Sequence, residues 1–101
     1  MFDMCAYWGA GSAAAIENQA VVSDIPTLIL VGEFDTATPP AWARLTASTL
    51  SNGYVFEFPG SGHSLLTMVP CSMEITAEFL KNPMSKPNGS CIQNIEWPYF
   101  E

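Results

Sequence analysis

The sequence predicts an α/β domain with parallel strands, and three stretches carry that expectation. "TLILV" at residues 27–31 runs five apolar or β-branched residues without alternation between Pro26 and Gly32, the pattern of a strand buried on both faces. "YVFEF" at 54–58 is a second strand-like run, broken by Pro59-Gly60. Between them "ATPPAWARLTASTL" carries helix-start signals and helix-forming residues. Strand, helix and strand in that order make a βαβ unit, whose crossover is expected to be right-handed.

Each element has a local reason. Residues 12–20, "SAAAIENQA", hold enough alanine for a helical turn or two behind Gly9 and Gly11. The helix between the strands is expected over about 40–50, with Thr38 as N-cap and proline in the first turn, where its missing N–H costs nothing. Asn52-Gly53 then reads as a turn. A last helix is expected over about 71–81, "CSMEITAEFLK", with Ile75, Phe79 and Leu80 on one face. The segment 82–101 is rich in Pro, Asn, Gly and Ser, so an irregular tail is expected, with Trp97, Tyr99 and Phe100 as packing anchors. There is no internal repeat.

Composition excludes several classes of function. With 49% hydrophobic residues in 101, the chain has material for one small core. Ten acidic residues against Arg44, Lys81 and Lys86 give a formal charge of −7. No basic run is present to neutralise phosphates, so no nucleic-acid partner is expected. The acidic residues are scattered, as on a solvated surface. No apolar run approaches the roughly 20 residues of a membrane span. The first residues lack the basic start and long apolar centre of a signal peptide. Three widely spaced cysteines and one histidine lack metal-ligand spacing, so neither metal nor other cofactor is expected.

The candidate chemistry lies where the two strands end. Asp35 follows "TLILV" by four residues and His63, the only histidine, follows "YVFEF" by five. Both therefore fall on loops leaving the carboxyl ends of neighbouring strands, where open α/β sheets build their sites. An Asp that accepts a hydrogen bond from imidazole Nδ1–H fixes the tautomer and leaves Nε2 free to take a proton from a nucleophile. Gly60 and Gly62 are expected to let the backbone turn sharply beside the ring. The spacing alone is equally compatible with a surface histidine and a turn aspartate that never meet. Glu33 has two readings, an alternative acid or contact for a substrate amino group, and a solvated or turn-capping residue. Trp42 reads as packing before it reads as pocket lining, and Met68 and Met73 as gap fillers.

The blocks "IPTLILVGEFDTATPPAWA", "FPGSGHSLL" and "CSMEITAEFLKNP" with a later "SC" resemble the C-terminal part of α/β-hydrolase serine peptidases of the tripeptidyl and prolyl aminopeptidase type. The resemblance covers roughly residues 5–91 and is most specific in "GEFDTATPP" and "PGSGH". It implies that residues 1–101 form a single partial domain, the C-terminal βαβα segment of an α/β-hydrolase fold. It also implies that Asp35 is the orienting acid and His63 the base of a catalytic triad. It further implies a disulfide framework, secretion, and release of short peptides from a substrate's N-terminus.

One part of that family's pattern does not occur. The nucleophile elbow G-x-S-x-G is absent from these 101 residues; Ser12 follows no strand, and Ser61 and Ser64 share the loop of His63. In this fold the chain order is Ser, Asp, His, so the nucleophile, oxyanion hole and substrate pocket are expected upstream of Met1. The chain alone is expected to be close to inert. A bond between Cys71 and Cys91 would suit a secreted parent, leaving Cys5 over; three unpaired thiols is the alternative. Two functions follow: the C-terminal segment of a secreted serine hydrolase acting on peptide or ester substrates, or a non-catalytic α/β module that binds a partner or its own copy.

Overall fold

The computed structural model describes residues 2–96, so the expected anchors Trp97, Tyr99 and Phe100 lie outside the described residues. Strand β1 spans Thr27–Gly32 and β2 spans Gly53–Phe58. They pair in parallel, with Leu28 opposite Tyr54, Leu30 opposite Phe56 and Gly32 opposite Phe58. Helix α1 covers Phe2–Tyr7, α2 Pro40–Ala47, the single turn α3 Leu65–Met68 and α4 Pro70–Lys81. Helices and a parallel sheet make this an α/β fold.

Side-chain parity sorts the helices onto the sheet. Leu28, Leu30, Tyr54, Phe56 and Phe58 point to one face, because successive strand residues alternate. There Phe56 and Phe58 cluster with Leu65 of α3 and with Cys71 and Ile75 of α4. Helix α2 takes the other face, where Arg44 pairs with Glu57 at 2.9 Å. Ser72, fully buried, donates its hydroxyl to the carbonyls of Leu65 and Val69, tying α3 to the first turn of α4.

Several sequence expectations are corrected. Strand β1 is not buried along its length: Thr27 to Leu30 are half-buried, and only Val31 and Gly32, at the carboxyl end, are buried. On α4, Leu80 is 71% exposed, and the inward face is Cys71, Ser72 and Ile75, with Phe79 half-buried. At about 100° per residue, Phe79 returns to within 40° of Ile75 whereas Leu80 stands about 140° away. Met68 and Met73 are exposed and fill no gap, and Trp42 is 60% exposed. Residues 12–20 form only a 3₁₀ turn at Ala15–Asn18. Helix α1 was not expected; it carries Cys5, exposed and free.

The tail is irregular through residue 96 apart from a 3₁₀ turn at Ser90–Asn94. A disulfide between Cys71 and Cys91 fixes that turn to the start of α4, with the two Cα atoms 5.7 Å apart. Among the described residues no helix is long and apolar enough to cross a membrane.

Candidate active site

The two loops that leave the sheet are fastened to each other before any functional side chain is placed. Past the end of β1, the Glu33 N–H donates to the Phe58 carbonyl at 3.0 Å and the Phe34 N–H to the Ser61 carbonyl at 2.9 Å. Gly32 makes this approach possible: a Cβ there would run into the carbonyl oxygens of Ser61 and Gly62. Gly60 adopts a left-handed φ of 64°, which a side chain would strain. Its N–H donates to Glu33 Oε2 at 2.8 Å. Gly62, also expected to be needed for the bend, has no positive φ and open space where its Cβ would lie.

On this base Asp35 and His63 meet. His63 Nδ1 lies 2.9 Å from Asp35 Oδ2, 28 residues apart in sequence. Asp35 is buried at 6% exposure, and its other oxygen, Oδ1, accepts the N–H groups of Ala37 and Thr38, each at 2.9 Å. The Thr38 hydroxyl donates to Oδ2 at 2.8 Å and lies 3.3 Å from His63 Nδ1. Asp35 is therefore held well below the ordinary carboxylate range, by the Thr38 N–H first and then by His63, the Thr38 hydroxyl and the Ala37 N–H, against an opposing effect of burial. An ionised carboxylate accepts only, so His63 must present Nδ1–H to it. In the neutral ring the lone pair is then on Nε2, and the side chain is 65% exposed. The ring borders an open hollow lined also by Leu30, Ser64, Leu65, Leu66 and Thr67. An exposed imidazole beside such a hollow has the access that proton transfer on a bound molecule requires.

Thr38 was expected to cap α2. Instead Pro39 occupies the N-cap position without a side-chain cap bond, and Thr38 serves Asp35. The signal was present in "DTAT": an Asp that accepts the N–H two residues on forms an Asx turn, so its carboxylate competes with Thr38 for the organisation of this loop. Of the two readings of Glu33, the turn-holding one matches its bond to Gly60.

A model of the family described as TAP-like protein matches residues 1–91. The chain belongs to this family of α/β-hydrolases. The match supports the reading of this TAP-like chain as the C-terminal part of such a hydrolase. Neither the curated proteins nor the solved structures contain a significant match to it. Its disulfide and its family are both compatible with an extracytoplasmic location.

Proposed function

We propose that this TAP-like chain is the C-terminal portion of a secreted serine hydrolase, an aminopeptidase releasing short peptides, in which Asp35 orients and His63 is the general base. The observation that carries this is the 2.9 Å contact between His63 Nδ1 and Asp35 Oδ2 at the carboxyl ends of adjacent parallel strands. In the complete enzyme His63 Nε2 takes the proton from a serine hydroxyl as that oxygen attacks the scissile carbonyl. Asp35, already ionised, stabilises the imidazolium. The ring then returns the proton to the leaving amine and repeats the transfer with water to free the acyl group. The serine and oxyanion hole are supplied by a segment outside these 101 residues, and the isolated chain does not turn over.

The coding sequence upstream of Met1 should contain G-x-S-x-G in frame, and protein from that longer frame should hydrolyse aminoacyl or tripeptidyl chromogenic substrates. His63→Ala should abolish turnover, and Asp35→Asn should lower kcat on the order of 10⁴-fold, as in other serine triads. Undiminished turnover by the His63→Ala protein would remove His63 from the mechanism. Absence of any such frame would transfer the assignment to a self-associating binding module, which the chain's exposed apolar side chains favour.

A further inference from the structure

We infer that Glu33 is a positioning residue for the Asp35–His63 pair, acting through the backbone of the histidine loop; this rests on the reading of that pair as catalytic. The two partners of the pair stand on different loops, so their contact requires the loops to be held in register. Backbone bonds do part of this: Glu33 N–H to Phe58 and Phe34 N–H to Ser61 extend the sheet ladder past its end. They reach no further than Ser61, while the chain reverses at Gly60 and must deliver His63 two residues beyond Ser61. The Gly60 N–H is not one of these ladder donors, and a backbone donor at such a turn needs another acceptor. Glu33 supplies it with a carboxylate oxygen at 2.8 Å, across 27 residues of sequence.

The chemistry of this contact favours a carboxylate over a neutral side chain. A bond from N–H to an ionised acceptor is stronger than a neutral one, and here it is partly buried. Glu33 also lies two residues before Asp35 on the same loop, whose turn is closed by the Asp35 N–H donating to Gly32. One short segment thus grips the histidine loop through Glu33 and the imidazole through Asp35. Loss of the first grip leaves the second bond intact in principle but lets its donor drift. Because proton transfer depends on a well-fixed geometry, that drift weakens catalysis without touching a reacting atom.

Proton NMR of the full chain tests this without an active enzyme, since His63 is the only histidine and its ring signals need no assignment. The parent protein should show a slowly exchanging low-field Nδ1–H resonance. Glu33→Ala should broaden or abolish it and speed amide exchange at Gly60 by about tenfold or more, the equivalent of one hydrogen bond to a charged acceptor. Glu33→Gln, whose amide oxygen still accepts from Gly60 but more weakly, should restore the ring resonance in part. Ser72→Ala controls for stability: it should lower Tm and leave the low-field signal in place. A Glu33→Ala protein that keeps the resonance at parental intensity overturns the positioning role alone. If the parent lacks the resonance, or Asp35→Asn leaves it unchanged, the Asp35–His63 reading fails and the role of Glu33 falls with it.

Discussion

Asp35 receives four hydrogen bonds on two oxygens, and this concentration of donors determines how the site responds to acid. Its carboxyl is held below the ordinary range in the fold, whereas in the unfolded chain it titrates near 3.9. A group with a depressed folded-state value stabilises the fold fully above its unfolded pKa. That contribution then falls away as the pH drops toward the folded value. The gap in stability between the parent and Asp35→Asn should therefore be widest near neutral pH and narrow below about pH 4. Thermal melts from pH 7 down to pH 2 measure it. A gap that stays constant across that window would mean that the folded carboxyl titrates as an unfolded one does. The pairing of Asp35 with His63 was legible as a shared position beyond two strand ends, but the four-donor environment was not. Three of those donors come from Ala37 and Thr38, where a proline-led helix start drew attention to capping instead.

Strands and helices were most legible where the pattern was local. "TLILV" and "YVFEF" became β1 and β2, with Gly32 and Gly53 each adding one residue, because apolar runs bounded by Pro and Gly leave few alternatives. Helix faces were less so, since which side of α4 turns inward depends on Phe56 and Phe58 beneath it rather than on its own hydrophobicity. The close approach at Gly32 was invisible for the same reason: it is a contact with Ser61 and Gly62, distant in sequence. Helix α4 also depends on its covalent link to the tail. The Cys71–Cys91 bond closes a loop with a sequence separation of 20. In the chain-entropy account such a loop contributes about 3 kcal/mol. Replacing both cysteines by serine should lower the unfolding free energy in urea by about that amount. The loss should be concentrated in the core, because the tail segment carries Ile92 and Ile95 onto the Phe56–Ile75 cluster. Unchanged urea stability in the double variant would show that the tail docks without the bridge.

At the scale of the molecule, the chain does not cover its own apolar surface. Its radius of gyration is 16.8 Å, against about 13 Å for a compact domain of 100 residues. The buried hydrophobic core is confined to Val31, Phe56, Phe58, Leu65, Cys71 and Ile75 among the described residues. By contrast Val22, Ile25, Trp42 and Leu45, in the segment before β1 and on α2, are exposed by 60% or more. The sheet has two strands among the described residues, so the outer edge of β1 presents backbone donors and acceptors, and Trp42 borders the same strand at Ile29–Val31. An open strand edge next to apolar surface is a template for pairing with another chain. The isolated protein should therefore self-associate at low micromolar concentration, in size-exclusion chromatography with light scattering, despite a formal charge of −7. A stable monomer would show that the exposed surface is tolerated in water and would weaken the reading of the chain as part of a larger hydrolase. The same preparation should resist a serine-directed fluorophosphonate, because neither Ser61 nor Ser64, on the histidine's own loop, stands in a G-x-S-x-G context. Stoichiometric labelling, abolished by His63→Ala, would instead place an activated serine within these 101 residues and make the chain a hydrolase in its own right.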